Sequence, residues 1–196
     1  MQITGIKEQK NNKDRYSVYI DERYSFSISA NDLLEAKLKT GSTLSADQIS
    51  NFVSQSADSL LMSRTYEKCM RRPHSEKEIR DYLRTKLADE GLTQRIIDKC
   101  YHYGLLDDEV FAQKWTQHRL RSNRSIRYIR NELRNKGVAD EIIEACTSSH
   151  SDTSQLQALI EKKRGKYDDV RKLIAYLQRQ GYSYSDISEQ IKIGED

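Results

Sequence analysis

The chain has 196 residues, of which 36% are apolar and 32% are charged, with 8 glycines, a single proline and a net charge of +3. This apolar content is low for a globular chain and argues against one thick core, while the scarcity of glycine and proline favours long helices. No apolar run approaches the roughly 20 residues of a membrane-spanning helix, and the three cysteines form no Cys-x-x-Cys pair, which argues against a zinc site or a disulfide framework.

Residues 1–29 predict three β-strands. Large apolar side chains recur at every second position, the period of a half-buried strand, at Tyr16, Val18 and Ile20 and again at Tyr24, Phe26 and Ile28. Polar residues at 11–14 and 21–23 favour turns between the strands. We therefore predict a three-stranded meander in an N-terminal extension, residues 1–44. Because an isolated hairpin is marginally stable, we expect the meander to pack on a short helix over residues 31–38.

From Ser45 the pattern becomes helical, and helix starts carry capping signals. Ser45 is followed three residues later by Gln48, and Ser75 by Glu78, as in a capping box, where a hydroxyl and a carboxylate or amide bond reciprocally to free N–H groups. The acidic residues at 107–109 would place negative charge at a helix N-terminus, where the helix dipole favours it. These signals predict helices that begin near residues 45, 75 and 107.

An internal repeat organises the helical part of the chain. Residues 78–86 (EIRDYLRTK), 128–136 (YIRNELRNK) and 172–180 (KLIAYLQRQ) align, and their anchors Ile79, Ile129 and Leu173 are spaced 50 and 44 residues apart. A longer helical segment precedes each copy and a shorter one follows it. We predict a mostly α-helical fold with three tandem three-helix repeats, over residues 45–103, 104–149 and 150–196, that stack into an elongated body.

Positive charge is concentrated in residues 114–136, which hold eight basic residues and one acidic residue, Glu132. A solvated face is the usual explanation of such a run. Here one carboxylate cannot neutralise the segment by internal pairing, and the spacing of three or four places several arginines on one helical stripe beside a core face formed by Ile126, Ile129 and Leu133. We therefore predict an anion-binding surface. It comprises Arg119, Arg121, Arg124, Arg127, Arg130, Arg134 and Lys136.

The other candidate sites have simpler explanations. Arg71 and Arg72 form a possible second basic corner, although cations are also favourable at a helix C-terminus. A helix cap accounts for Asp107, Asp108 and Glu109 better than a metal site does. Neither a phosphate-binding glycine loop nor a catalytic motif is present. We expect a binding protein rather than an enzyme, with no metal, no cofactor and no catalytic residues.

One combination of motifs points to a known family. GLLDD at 104–108, Phe111 with Ala112, Arg119, IRNEL at 129–133 and KGV at 136–138 occur in an order and spacing that resembles the RecX family of recombination regulators. The resemblance covers the three repeats, about 70% of the chain, and the N-terminal strands resemble an extension that some members carry. The basic stretch RSNRS at 121–125 departs from the family, whose members often have a glycine there.

The resemblance implies a helical protein that lies in the groove of the RecA recombinase filament on DNA. It would restrain the ATPase, strand exchange and the SOS response, with roles in DNA repair and DNA recombination and no catalysis of its own. The first ten residues lack the apolar core of a signal peptide, so we expect a cytoplasmic monomer without a membrane partner. DNA would be contacted mainly through the filament and weakly alone.

Three questions stay open at this point. The basic surface would meet either DNA phosphates or an acidic face of the recombinase. A generic helical-repeat module that binds nucleic acid without a recombinase partner is one alternative function. A nuclease that uses Asp107, Asp108 and Glu109 is another.

Overall fold

A computed structural model describes residues 1–10, 12–167 and 169–193. It confirms the predicted class, a mostly α-helical chain with an N-terminal β-meander. Strands β1 (Ile3–Gln9), β2 (Asn12–Ile20) and β3 (Arg23–Ser29) form an antiparallel sheet in the order β1-β2-β3. The helices are α1 (Ala30–Glu35), α2 (Ala46–Arg71), α3 (Glu76–Thr85), α4 (Glu90–His102), α5 (Asp108–Arg121), α6 (Ile126–Asn135), α7 (Asp140–Thr147), α8 (Asp152–Arg164), α9 (Val170–Arg179) and α10 (Tyr184–Ile193).

The chain divides into two compact units, residues 1–68 and 69–196. In the first unit the alternating apolar residues of the sheet form a core that includes Val18 and Phe26. Leu33 and Leu38 pack against this core, as predicted for the segment 31–38. The prediction was incomplete, however, because the start of α2 also covers the sheet, and Phe52 stacks on Phe26 with ring centroids 5.3 Å apart.

A buried arginine joins the sheet to α2 in the same unit. Arg15 is 3% exposed and donates hydrogen bonds to Ser27 Oγ at 2.8 Å and to Ser59 Oγ at 3.1 Å. Burial lowers the pKa of Arg15, and the nearby Asp32 carboxylate partly offsets that effect. The serine oxygens replace part of the water that this guanidinium loses, which makes the contact specific.

The predicted capping signals are largely present. Ser45 and Gln48 form a full capping box, with both reciprocal hydrogen bonds in place. Ser75 accepts from the backbone N–H of Glu78 at 3.2 Å, but the Glu78 carboxylate does not return to the cap and is used elsewhere. Asp107 caps α5 by accepting from the N–H of Val110 at 2.9 Å.

Each repeat of the second unit buries its own apolar set. The anchor positions Ile79, Ile129 and Leu173 are at most 3% exposed, as the sequence repeat predicts. Around Ile129 the core contains Phe111, Ala112, Ile126, Leu133, Val138 and Ile143. Around Leu173 it contains Leu156, Leu159, Ile160, Leu177, Tyr182, Ile187 and Ile191. Several small cores thus replace one thick core, which is how so polar a chain folds.

Successive repeats are joined by the same contact. Asp108, at the start of α5, accepts from the backbone N–H of Glu76 at 3.1 Å. Asp152, at the start of α8, accepts from the N–H of Ile126 at 2.6 Å. Burial raises the pKa of both aspartates, although these N–H bonds favour the ionised form. The first helix of each later repeat therefore caps the middle helix of the repeat before it.

The turn after each middle helix makes the second shared contact. Gly137 has φ +79°, and a Cβ there would lie 2.9 Å from Cβ of Lys77, one repeat earlier. Gly181 has φ +101°, and its Cβ would lie 2.5 Å from Cβ of Tyr128. The equivalent residue of the first repeat is Leu87, which has φ +59° and is 93% exposed, with no earlier repeat against it. Glycine is thus required at the two turns that pack against the preceding repeat.

Candidate functional site

The four arginines whose spacing predicts one helical stripe are Arg124, Arg127, Arg130 and Arg134, and all but Arg124 lie on α6. The apolar face forms as predicted, because Ile129 and Leu133 are fully buried. Arg124 precedes the N-cap residue Ser125 and is therefore not part of the helix. Its guanidinium donates to the carbonyl oxygen of Arg179 at 2.5 Å and lies 4.6 Å from the ring centroid of Tyr128. Arg124 thus helps to join the second repeat to the third.

Carboxylates from outside the segment neutralise two of the helical arginines. Arg130 pairs with Glu144 of α7 at 2.9 Å, and Arg134 pairs with Asp140 at 2.8 Å. Residues 114–136 contain one carboxylate, too few to neutralise the stripe from within the segment, but α7 supplies two more. These partners are within reach because the short turn after α6 brings α7 back alongside it. The free charge of the surface is smaller than the sequence predicts.

A second pair of predicted cations surrounds the chain's single tryptophan. Arg119 lies with Cζ 4.5 Å from the Trp115 ring, and Lys136 lies with Nζ 4.1 Å from it. The indole N–H donates to Glu132 at 3.0 Å. Arg119 Nε is 2.7 Å from the same carboxylate, close enough for an ion pair although its N–H does not point at the oxygen. Such cation–π contacts hold the charged groups against the ring.

Glu78 connects this cluster to the first repeat. Its carboxylate contacts Lys136 Nζ at 2.5 Å, His74 Nδ1 at 2.9 Å and Arg72 Nη1 at 3.1 Å. Burial alone would raise the pKa of Glu78, but the hydrogen bonds from His74 and Lys136 outweigh it and lower the pKa to about 2. Nothing in the spacing of the sequence pointed to this role, because Glu78 and Lys136 are 58 residues apart.

We expect Glu78 to make stability depend on acid pH. Its pKa falls from 4.5 to about 2 on folding, so its contribution is complete above pH 4.5 and is lost as the pH falls toward 2. After allowance for solvent screening the contribution is roughly 1–2 kcal/mol. Urea unfolding of wild type and Glu78→Gln should therefore differ by that amount at neutral pH and converge near pH 2. A difference that does not change with pH would contradict the assignment.

The two remaining members of the predicted surface have no ion-pair partner in the described part of the chain. Arg121, the last residue of α5, and Arg127, in the first turn of α6, are exposed and have no carboxylate partner within residues 1–10, 12–167 and 169–193. Charge that is not paired internally is the part of a surface that attracts an anionic partner. Arg121 and Arg127 are therefore the strongest candidates for direct contact.

The predicted second basic corner meets the basic segment at a groove. We call it the Trp115 groove; it has a volume of about 280 Å³. It is lined by Arg72, Pro73, Phe111, Lys114, Trp115 and His118. Arg71 lies at the adjoining depression along residues 69–74. The basic pair Arg71 and Arg72 is evident in the sequence, but its position beside Trp115 and Lys114 depends on tertiary contacts between α5 and the segment before α3.

The described part of the chain offers little support for metal or membrane chemistry. No group of three or more histidine, cysteine, aspartate or glutamate residues within it is arranged to hold a metal ion. Asp107 and Asp108 each cap a helix, so two of the three carboxylates of the nuclease alternative already have structural partners. No helix of this part is both long and apolar enough to cross a bilayer.

Comparison with known proteins agrees with the fold and the repeat. Residues 1–45 match the N-terminal domain of regulatory protein RecX, residues 67–100 its first three-helix domain and residues 107–146 its second three-helix domain. The regulatory protein RecX of Clostridium acetobutylicum is 30% identical over 97% of this chain and 94% of its own. That of Bacillus pumilus is 29% identical over 97% of this chain and 76% of its own.

Solved structures support the same fold. A crystal structure of regulatory protein RecX aligns with a TM-score of 0.70 at 22% identity, covering 96% of this chain and 98% of that one. RecX from Lactobacillus salivarius aligns with a TM-score of 0.53 at 23% identity, covering 68% of this chain and 96% of that one. With the domain order, the repeat and the full-length relatives in agreement, the chain belongs to the RecX family of regulatory proteins.

Proposed function

We propose that this protein binds the RecA recombinase filament on DNA and restrains its ATPase, strand exchange and SOS signalling, without catalysis of its own. The observation that carries the proposal is the free positive charge at Arg121 and Arg127, at the centre of a family-typical repeat. Both components of such a filament, DNA and recombinase, can present anionic groups. A cation without an internal partner contributes to the rate and strength of such an encounter.

The paired cations of the predicted surface narrow the set of residues that remain for a partner. Arg124, Arg130, Arg134 and Lys136 all have partners inside the second unit. We infer that Arg124 and Lys136 hold neighbouring repeats together and that Arg130 and Arg134 hold α6 to α7 within the second repeat, while Arg121 and Arg127 contact the filament. Arg119 is held against Trp115 and belongs with the first group. The predicted surface of seven residues therefore divides into five that hold structure and two that bind.

A generic nucleic-acid-binding module is the second candidate, since exposed arginines also suit phosphates. The two functions predict different inhibition of the recombinase ATPase when DNA is in excess. With recombinase limiting and single-stranded DNA in saturating excess, a regulator of the filament should still reduce the ATPase rate in proportion to its ratio to recombinase. A module that only binds DNA should lose its effect on the ATPase rate, because the excess DNA binds it away from the filaments. Loss of inhibition at saturating DNA would overturn the proposal.

A further inference from the structure

We propose that the Trp115 groove binds one large apolar side chain from a partner-protein segment rich in carboxylates. The inference rests on the proposed function, which supplies a protein partner, and it names the kind of segment that partner would present. Three observations carry it: the apolar floor of the groove, the use already made of the polar groups around it, and the positive charge of Lys114 and Arg72 at its rim.

The floor of the groove is apolar. Phe111 is 2% exposed and stacks on Trp115 with ring centroids 5.7 Å apart, and Pro73 adjoins them. The Trp115 N–H is already donated to Glu132, and Arg72 Nη1 donates to the carbonyl oxygen of Pro73 and to Glu78. The floor thus provides apolar contact and few free hydrogen-bonding groups. An apolar side chain gives up no hydrogen bonds when it enters the groove, whereas a polar group would lose its hydrogen bonds to water without replacement.

Stacking of a nucleobase suits this groove less well. Base stacking needs a free aromatic face. The Trp115 ring already holds Arg119 and Lys136 by cation–π contact, and both cations are fixed by carboxylates, Glu132 and Glu78. A base on this ring would compete with those contacts. An apolar side chain that enters the groove needs no free ring face and is compatible with both contacts.

The rim selects for negative charge. Lys114 and His118 are four residues apart on α5, which places them on the same side of the helix. Both side chains are exposed, and neither side chain has a partner in the described part of the chain. Lys114 supplies the free positive charge of the rim, and Arg72 adds a second cation, which pairs with Glu78 but keeps 54% of its side chain exposed. Carboxylates on either side of an apolar anchor would meet these groups, since complementary charge around an apolar contact improves both specificity and association rate.

The test uses Trp115, the chain's single tryptophan, as the reporter. The whole protein is titrated with an acetylated peptide in which one phenylalanine is flanked on both sides by glutamates, and Trp115 fluorescence is recorded. The same peptide with alanine in place of phenylalanine and an oligothymidylate of equal charge serve as competing probes. We expect the phenylalanine peptide alone to shift the emission. The Lys114→Glu substitution should weaken the affinity for the phenylalanine peptide by roughly tenfold, which corresponds to about 1.4 kcal/mol.

Lys162→Glu is the matched control, because Lys162 is an exposed lysine of the third repeat and its reversal should leave peptide binding unchanged. Three outcomes would overturn the inference: equal binding of the alanine peptide, a Trp115 response to the oligothymidylate alone, or no response to either peptide. The assay contains no recombinase, so a failure here with filament inhibition retained removes the groove and leaves the proposed function in place. Conversely, if the chain binds the phenylalanine peptide but does not inhibit the filament, the groove assignment stands and the proposed function is wrong.

Discussion

Gly181→Ala is expected to destabilise the chain by about 3 kcal/mol, more than any other glycine-to-alanine change considered below. The residue has φ +101°, and its new Cβ would lie 2.5 Å from Tyr128 Cβ and 2.6 Å from Ser125 Oγ. The left-handed backbone costs about 1 kcal/mol for alanine, and overpacking a tight junction adds roughly 1–3 kcal/mol. The neighbouring hydrogen bond from Ser125 N–H to the Gln180 carbonyl oxygen, 3.0 Å long, would be strained as well.

Two other glycines separate the backbone effect from the junction effect. Gly104 has φ +63° and open space around it, so alanine there should cost only the backbone term, about 1 kcal/mol. Gly165 has an ordinary helical φ of −72° and open space, so alanine should be neutral or stabilise by up to about 1 kcal/mol. Urea unfolding of the three variants checks the order. If Gly181→Ala were no worse than Gly104→Ala, the repeats would not be tightly joined there.

Charge reversal at Arg121 and Arg127 should have the largest effect on function. The double change to glutamate alters the charge by four units at two exposed positions without a partner in the described chain. Exposed substitutions cost only about 0.5 kcal/mol each, so the fold should survive. We expect the concentration that halves recombinase ATPase to rise by about 100-fold, equivalent to roughly 1.4 kcal/mol for each reversed side chain. Lys162→Glu with Lys166→Glu carries the same charge change elsewhere and should inhibit normally.

The same variant addresses which anion the arginines meet. If they contact phosphates, wild-type binding to bare DNA should weaken with salt at a log–log slope of about −0.7 to −0.9 for each phosphate neutralised, and the double variant should be shallower by about two such units. If they contact an acidic face of the recombinase, binding to bare DNA will change little while inhibition is lost. Normal inhibition by a folded double variant would remove both residues from the mechanism.

Periodicity predicted the fold well because it reports burial directly. Ile126, Ile129 and Leu133 are spaced for one helical face, and all three are buried in the core of the second repeat. The alternating residues around Val18 and Phe26 likewise form the core face of the sheet. The role of α2 in covering that sheet was missed, since a helix that spans residues 46–71 does not show from its sequence which neighbours its first turns contact.

The candidate site was less predictable, because pairing depends on tertiary contacts. The same local pattern describes Arg127, which is free, and Arg130 and Arg134, which pair with carboxylates of α7. Glu78 reads as the second half of a capping box, yet its carboxylate binds Lys136 across 58 residues of sequence. The sequence shows which residues are basic, and their spacing predicts which of them share a helical face. The structure was needed to separate the cations that are paired within the chain from those left for a partner.

Co-sedimentation with preformed RecA filaments on single-stranded DNA tests the central claim most directly. The wild-type chain and the Lys162→Glu, Lys166→Glu control should pellet with the filaments at a constant ratio to recombinase. The Arg121→Glu, Arg127→Glu variant should stay in the supernatant, and none of the three should pellet without filaments. If the wild-type chain stays in the supernatant with filaments in excess, the proposed filament binding is contradicted. If the arginine variant pellets as well as wild type does, the role given to Arg121 and Arg127 is contradicted.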